Sequence, residues 1–194
     1  AEPENLDTEG LLKGIYLFQQ GPKQRKKVAQ ILASGVGMNW ALKAAKLLES
    51  DWGVSASVWS VTSWNELRRD GLAVDRHNFL NPADQRTAYV AHKLRNAEGP
   101  VIAVSDYMRA VQDQIAPWVS QDFTSLGTDG FGLSDTRGAL RRHFKVDAES
   151  IVIATLAALV KSGDVKAGVV QEAINKYQIN DINAADPGNT EGSG

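Results

Sequence analysis

The chain has 194 residues, enough for one domain with a well-buried core, and its 43% hydrophobic and 23% charged residues are ordinary for a soluble globular protein. A formal net charge of -2 gives no electrostatic case for a nucleic-acid partner or an anionic membrane, and no apolar run approaches the roughly 18 residues of a membrane span. The absence of cysteine excludes disulfides, thiolate catalysis and cysteine-ligated zinc, and it fits a reducing compartment, so a cytoplasmic location is expected.

The first third of the chain alternates between strand and helix patterns. Residues 1–10 are polar and predicted to be irregular, and residues 11–19 read as a first strand. Residues 28–33 form a continuous apolar-leaning run, which is typical of a strand buried on both faces. Apolar side chains at helical spacing predict a helix over 38–50, and residues 54–61 read as the next strand.

A short glycine turn joins the second strand to this helix. The order of strand, Gly35-x-Gly37 and helix resembles the opening of a dinucleotide-binding fingerprint. The third glycine of that pattern falls at Trp40, whose bulk forbids close packing of the helix on the strand, and no acidic residue closes a following strand. The turn is therefore interpreted only as the start of the following helix, whose amino terminus has the capacity to bind an anion.

The middle of the chain gives weaker patterns. Ser63 and Glu66 match a capping box, which predicts a short helix that ends at Gly71. Residues 73–91 are the least regular, and residues 87–95 look helical or mixed.

The clearest buried strand covers residues 99–105, and Asp106 follows it directly at the start of a helix that runs to Trp118. Asp106 occupies a position where helix caps and catalytic acids both occur, and capping is the simpler interpretation.

The stretch 126–137, Leu-Gly-Thr-Asp-Gly-Phe-Gly-Leu-Ser-Asp-Thr-Arg, is the feature around which the chain is organised. A strand over 123–126 ends there, a loop with three glycines follows, and a helix begins at Ser134 or Asp135. In open α/β sheets, loops at the carboxyl ends of strands form the crevice where ligands or partners bind. The alternative is a structural turn, in which Ser134 or Asp135 caps the helix and Arg137 pairs with a nearby aspartate. The candidate residues for contacts at the carboxyl edge are Asp106, Tyr107, Asp129, Phe131, Ser134, Asp135 and Arg137.

The last third of the chain is helical. Asp147 is predicted to cap a helix over 148–162 that is apolar nearly all round, which indicates deep burial or a subunit interface. A final helix is predicted over 164–177, and residues 183–194, rich in Gly, Asn and Asp, are predicted to be disordered.

These patterns predict a single α/β domain over residues 11–182. Strands that alternate with helices indicate a three-layer α/β/α fold around a mostly parallel, mixed sheet of about five strands. The first strand has no crossover helix of its own, so it is expected to run antiparallel at an edge of the sheet.

Several segments, in this order, are similar to the carboxyl-terminal domain of the homodimeric bacterial pyruvate dehydrogenase decarboxylating component, a member of the transketolase-like superfamily. The matching segments are residues 13–16, 58–63, 66–71, 105–108, 126–132, 134–137 and 143–147. The resemblance extends from about residue 10 to about residue 182. It departs at residues 86–90, which lack two prolines typical of the family, and at Lys145, where an acidic residue is usual.

The resemblance implies a parent enzyme that uses thiamine diphosphate and Mg²⁺ to decarboxylate pyruvate and to acetylate a lipoyl group. In that family the cofactor lies between two other domains, across the dimer interface. The family's metal motif is Gly-Asp-Gly followed by a distant Asn, whereas residues 128–130 read Thr-Asp-Gly with no Asn at that interval. The chain is therefore expected to contain no catalytic, cofactor-binding or metal-binding residue and to be inactive alone.

The partners implied are the remaining domains and the second subunit of a homodimer, and the dihydrolipoyl acetyltransferase is a further candidate. The expected role is to extend the dimer interface and to wall the approach to the active site. The alternative is an interaction or regulatory module that binds the acetyltransferase core or a small effector through the same loops. An independent nucleotide-dependent enzyme is poorly supported, because Trp40 interrupts the glycine pattern.

Overall fold

A computed structural model describes residues 6–23 and 25–185 of the chain, which form three layers around one sheet. The strands are β1 (Ile15–Gln19), β2 (Val28–Ala33), β3 (Ser55–Val61), β4 (Val101–Val104) and β5 (Phe123–Leu126). The helices are α1 (Thr8–Lys13), α2 (Gly37–Trp52), α3 (Trp64–Leu80), α4 (Tyr89–Leu94), α5 (Arg109–Asp113), α6 (Arg137–His143), α7 (Ala148–Lys161) and α8 (Ala167–Lys176). Two short 3₁₀ helices lie at Ala116–Trp118 and Ile182–Ala184.

The five strands lie in the order β1-β3-β2-β4-β5. β1 pairs antiparallel with β3 at one edge, and the other neighbouring strands pair in parallel. At the centre of the sheet, Ile31 faces Val58 on one side and Ile102 on the other. The mixed, mostly parallel sheet and its antiparallel first strand are therefore confirmed.

Successive side chains along the central strands point to opposite faces of the sheet. The core is therefore divided into two apolar clusters, one on each face. On one face, Ile31 and Ile102 pack with α2, α7 and α8. On the other face, Leu32 and Ala103 pack with α3 and α4. Helices thus cover both faces, as a largely parallel sheet with continuous apolar strands requires.

Helix α7 is buried between the sheet and its neighbouring helices, as its apolar sequence predicts. Ile151, Val152 and Leu156 are fully inaccessible to solvent. Asp147 caps the helix, since its side chain accepts a hydrogen bond from the Ser150 amide at 3.1 Å. No helix in the described part of the chain has both the length and the apolar character to cross a bilayer.

The amino-terminal segment differs from the prediction. Thr8–Lys13 form a helix, so residues 8–10 are not irregular and the first strand begins only at Ile15. Asp7 caps this helix by accepting a hydrogen bond from the Gly10 amide at 2.8 Å, and Gly14 ends it with a φ of 102°. Residues 1–5 and 186–194, the latter most of the predicted disordered tail, lie outside the described residues.

Helix α3 is much longer than predicted, because Gly71 does not end it. The helix continues to Leu80 and stops before Pro82. A Cβ atom at Gly71 would lie 2.5 Å from the ring of Trp118. The glycine is therefore needed for close packing of the helix against a distant indole, and it has no role as a helix terminus.

Two further helix starts were predicted too early. The helix after β4 begins at Arg109 rather than Asp106, and a separate 3₁₀ turn at Ala116–Trp118 replaces its end. Pro117 accounts for this break, because proline has no backbone donor. The last helix begins at Ala167 rather than Asp164.

A buried ion cluster connects α6, α7 and the carboxyl-terminal segment. The Arg142 guanidinium pairs with Asp147 and lies 3.5 Å from Glu149. It also donates hydrogen bonds to the backbone carbonyls of Tyr177, Gln178 and Asp181 at 3.3–3.4 Å. Arg142 is 5% exposed and Asp147 is 3% exposed, so neither charge has water as a substitute partner.

Glu149, at the edge of this cluster, stays charged despite its burial. Burial raises the pKa of its carboxyl group, but a backbone hydrogen bond and Lys43, 3.0 Å away, more than offset that effect. The net pKa of Glu149 is therefore below its ordinary value. In the folded state Arg142 is therefore paired with Asp147 and Glu149, and Glu149 is also paired with Lys43.

Candidate functional site

The carboxyl ends of the four parallel strands open onto one edge of the sheet, which we call the carboxyl edge. The connecting loops that follow these strands are residues 34–36, 62–63, 105–108 and 127–136. Within this edge, the last two loops and the start of α6 carry all the candidate residues predicted from the sequence. All of these residues are exposed: Asp106, Tyr107, Asp129, Phe131, Ser134, Asp135 and Arg137.

The first half of the glycine-rich loop is fastened to the loop after β4. The Thr128 amide donates a hydrogen bond to the Tyr107 carbonyl at 2.9 Å, and the Thr128 hydroxyl donates to the Asp106 carbonyl at 2.6 Å. Asp129 accepts a hydrogen bond from the Arg109 amide, the first of α5, at 2.9 Å. The carboxylate of Asp129 therefore holds a helix amino terminus, and the two loops form one structural unit.

Gly127 makes this attachment possible, because a Cβ atom there would lie 2.4 Å from the Tyr107 carbonyl oxygen. Replacing Gly127 with alanine should therefore push the two loops apart and destabilise the fold by about 1–3 kcal/mol. Urea unfolding followed by far-ultraviolet circular dichroism measures this loss.

Gly132 provides the matched control in the same loop. Apart from its chain neighbours, a Cβ atom at Gly132 would meet no atom of the described residues within 4 Å, so Gly132→Ala should leave the free energy of unfolding nearly unchanged. Equal effects of the two substitutions would show that the loop attachment does not stabilise the chain.

The second half of the loop projects apolar side chains into solvent. Phe131 is 96% exposed and Leu133 is 51% exposed. On neighbouring loops, Val36, Tyr107 and Met108 are each more than half exposed. We call these five residues the apolar rim. Several exposed apolar side chains on neighbouring loops of one protein edge are typical of an interaction surface.

The predicted cap of α6 was assigned to the wrong residue. Thr136, rather than Ser134 or Asp135, caps the helix by accepting a hydrogen bond from the Ala139 amide at 3.3 Å. Asp135 accepts a hydrogen bond from the adjacent Thr136 amide at 2.6 Å. Arg137 forms no ion pair with another described residue, so the predicted pairing with Asp135 or Asp129 was also wrong.

Asp106 is likewise not a helix cap. Its side chain accepts a hydrogen bond from the hydroxyl of Ser105 at 3.3 Å, and the first amide of α5 is held by Asp129 instead. Ser105 is fully buried and accepts hydrogen bonds from the Ser34 hydroxyl at 2.8 Å and the Tyr107 amide at 3.2 Å. Asp129, 23 positions later in the chain, takes the capping role that the sequence favoured for Asp106.

The loop after β4 separates two clefts at the carboxyl edge. On the α2 and α6 side lies an apolar cleft of about 250 Å³, lined by Val36, Trp40, Leu140 and Phe144 among others. In this cleft the Arg141 guanidinium lies 4.2 Å from the centroid of the Trp40 ring, within the range of a cation–π contact. Trp40 thus fills the position where a dinucleotide fingerprint needs a glycine, as the sequence indicates.

On the α3 and α5 side lies a larger cleft of about 650 Å³, which apolar residues such as Trp64 and Val111 line in part. We call it the polar cleft because its lining also includes the polar residues Ser34, Ser60, Asn65, Asp106 and Gln114. Sequence reasoning did not identify this cleft, because its lining comes from four segments that are distant along the chain, within residues 34–35, 60–65, 106–107 and 111–114. It also missed Val36, Met108 and Leu133 of the apolar rim. Val36 could have been identified from the sequence, because an apolar β-branched residue stands there between two glycines of a loop.

The carboxyl edge lacks the arrangement that a metal-bound diphosphate requires. No group of three or more His, Cys, Asp or Glu side chains in the described ranges is placed to hold a metal ion. Asp129, the acidic residue of the glycine-rich loop, already serves the Arg109 amide. The described residues therefore do not fit a thiamine diphosphate and Mg²⁺ site.

Comparisons with known proteins agree with this architecture. A family model described as the transketolase-like TK C-terminal domain matches residues 14–147. The pyruvate dehydrogenase E1 component of Mycolicibacterium smegmatis is 56% identical over 186 residues, which is 95% of this chain and 20% of that protein. The corresponding protein of Mycobacterium tuberculosis is 52% identical over 96% of this chain and 21% of its own length. The chain thus spans about a fifth of these relatives.

Solved structures of lower identity share the fold. Transketolase from Leishmania mexicana aligns over 82% of this chain and 20% of its own, with a TM-score of 0.55 and 22% identity. A split-gene transketolase, described as an inactive beta4 tetramer, aligns over 76% of this chain and 43% of its own, with a TM-score of 0.52 and 20% identity. From the family match over residues 14–147, the chain belongs to the transketolase-like C-terminal domain family.

Proposed function

We propose that this chain is a non-catalytic domain of a pyruvate dehydrogenase E1 component and that its carboxyl edge packs against the rest of that enzyme. The parent would be a cytoplasmic homodimer that uses thiamine diphosphate and Mg²⁺ to decarboxylate pyruvate and to acetylate a lipoyl group. The domain would extend the dimer interface and wall the approach to the active site. The relatives named pyruvate dehydrogenase E1 component, 56% and 52% identical to this chain, support the choice of parent.

The observation that carries the docking role is the exposed aromatic ring of Phe131 on a loop whose base is fixed. Phe131 is 96% exposed, while Thr128 and Asp129, shortly before it, are tied to the neighbouring loop by hydrogen bonds. A fixed base limits the conformational entropy lost when the tip is ordered by a partner. Aromatic side chains presented in this way commonly supply the central anchors of protein interfaces.

The composition of the edge supports a docking role over a catalytic one. Thiamine chemistry needs a carboxylate to tautomerise the aminopyrimidine and a metal ion to neutralise the diphosphate. Asp129 of this edge holds the Arg109 amide and Asp135 accepts from the Thr136 amide, and Asp106 belongs to no group of metal-ligating side chains in the described part of the chain. This chain would therefore position and shield a reaction centre that other domains provide.

A binding titration tests the proposal. The E1 component of Mycolicibacterium smegmatis, expressed without the region that this chain matches, is titrated with the chain in a calorimeter. Saturable binding is expected. Replacing both Phe131 and Leu133 with serine should weaken binding at least about tenfold, because two apolar anchors leave the interface.

The exposed pair Phe79 and Leu80 provides the control. Their side chains are 86% and 63% exposed, and they lie at the end of α3, which returns toward the opposite edge of the sheet. Serine substitutions there should leave the affinity unchanged. Absence of binding by the unmodified chain, or equal losses in both double variants, would contradict docking through the carboxyl edge. Binding to the acetyltransferase core instead would favour the interaction-module alternative.

A further inference from the structure

The polar cleft at the carboxyl edge lies where open α/β sheets bind ligands. From β2 the chain passes through α2 to β3, on one side of β2, whereas from β4 it passes through α5 to β5, on the other side. Because β2 and β4 are neighbours, their following loops diverge and leave a crevice between them. Ligands in such sheets bind in the crevice at this point of reversal.

The floor of the cleft is a rigid chain of buried hydrogen bonds. The Trp64 indole donates to the Ser34 hydroxyl at 2.9 Å, which donates to the Ser105 hydroxyl at 2.8 Å. Trp64 is 4% exposed and Ser105 is fully buried. These groups satisfy one another, so the floor is preorganised and offers few donors or acceptors of its own.

The walls of the cleft, in contrast, carry polar groups that the fold does not use. The Ser60 hydroxyl and the side-chain amides of Asn65 and Gln114 form no side-chain hydrogen bond with any other described residue. From the described residues the Asp106 carboxylate accepts only the 3.3 Å bond from Ser105, and it is exposed. A few convergent polar groups in a cleft of about 650 Å³ are typical of a small-molecule site.

The charge of the lining restricts the chemistry of the ligand. Among the described residues, no lysine or arginine lines the polar cleft, and Asp106 is its one carboxylate. A phosphate or carboxylate group placed there would meet the full negative charge of Asp106, which the partial positive charge at the amino end of α3 offsets only in part. Hydroxyl groups, in contrast, suit these side chains, because a carboxylate accepts hydrogen bonds from them and amides both donate and accept.

We propose that the polar cleft binds a small uncharged molecule with vicinal hydroxyl groups, either a free sugar or the ribose of a nucleoside. Asp106 accepts hydrogen bonds from the hydroxyl groups, and Asn65 and Gln114 complete their hydrogen bonding. An acidic side chain serves ribose hydroxyl groups in the same way in dinucleotide-binding sheets. This proposal does not rest on the docking role: Tyr107 belongs to both the apolar rim and the cleft, but the polar contacts come from Asp106, Asn65 and Gln114.

Titration of the isolated 194-residue chain with ribose, adenosine and adenosine monophosphate, followed by amide nuclear magnetic resonance, tests this site. Ribose and adenosine should shift the amide signals of residues 34–35, 60–65 and 106–107 in a saturable manner, and the monophosphate should bind more weakly than adenosine. Tighter binding of adenosine than ribose assigns the site to a nucleoside, and equal binding assigns it to a sugar. Asp106→Asn should weaken binding about tenfold, as expected for loss of a charged acceptor.

Asp135→Asn is the matched control, because Asp135 is an exposed aspartate of the same edge outside the cleft. This variant should bind like the unmodified chain. Gln114→Ala provides a second variant within the cleft and should also weaken binding. Absence of saturable shifts at millimolar ligand, tighter binding of the monophosphate, or equal affinities of the Asp106 and Asp135 variants would each overturn the proposal.

Discussion

Replacing Arg142 with methionine should destabilise the folded chain by about 3–5 kcal/mol, the usual cost of breaking a buried ion pair by removing one partner. The substitution leaves Asp147, 3% exposed, without its cation, and it also frees the carbonyls of Tyr177, Gln178 and Asp181. The carboxyl-terminal segment should therefore detach from α6 as stability is lost. Urea unfolding measures the free energy, and amide hydrogen exchange after Tyr177 measures the detachment.

Arg69 provides a control of the same side-chain type. It pairs with Glu66 at 3.0 Å on the surface of α3, where its side chain is 68% exposed. Arg69→Met should change the free energy of unfolding by no more than about 0.5 kcal/mol, since exposed pairs contribute little. A loss below about 1 kcal/mol for Arg142→Met would show that the buried cluster does not hold the segment.

Replacing Gly71 with alanine should destabilise the chain by about 1–3 kcal/mol, the usual cost of overpacking a filled interior. The new Cβ atom would lie 2.5 Å from the Trp118 ring, so the indole must move and lose the hydrogen bond from its Nε1 atom to Asp75 at 3.0 Å. Thermal unfolding and tryptophan fluorescence report these two effects.

The sign of the change in the free energy of unfolding is informative. Helix propensity alone favours alanine over glycine by about 1 kcal/mol, so a loss of stability would have to come from packing. Gly168 in α8 is the control, since a Cβ atom there would meet nothing within 4 Å in the described part of the chain beyond its own helix. Gly168→Ala should leave stability unchanged or raise it slightly. A rise in stability for Gly71→Ala would show that the packing of Trp118 against α3 is not close.

Elements with strong local signals were predicted well from the sequence. The strand at residues 28–33 matches β2, and the strand at residues 123–126 matches β5. Asp147 caps α7 as its position before an apolar helix indicates. Parallel strands need a crossover connection, usually a helix, and no such helix follows the first strand in the sequence. This local rule was enough to predict that β1 runs antiparallel at an edge of the sheet.

The errors occurred where a distant residue decides the local structure. Gly71 reads as a helix terminus, but its packing partner Trp118 is 47 positions away. Asp106 reads as a cap, but Asp129 from the next loop takes that role. Neither contact leaves a pattern in the neighbouring sequence, so propensity and spacing cannot identify it.

The sequence predicted which residues lie at the candidate site better than it predicted how they are arranged there. The residues chosen from the glycine-rich loop and the loop after β4 do lie on one edge, because parallel strands bring their carboxyl ends together. The division of that edge into an apolar and a polar cleft depends on which face each loop turns toward. That choice is set by the packing of α3, α5 and α6, which sequence spacing does not specify.

The most direct test of the central claim is the rate of pyruvate decarboxylation with added thiamine diphosphate and Mg²⁺. The E1 component of Mycolicibacterium smegmatis is compared intact, without its matching region, and with this chain in place of that region, beside the chain alone. We predict turnover by the intact and substituted enzymes and none by the chain alone. Turnover by the chain alone, or an inactive substituted enzyme that is folded, would contradict the assignment of this chain as a non-catalytic domain of that enzyme.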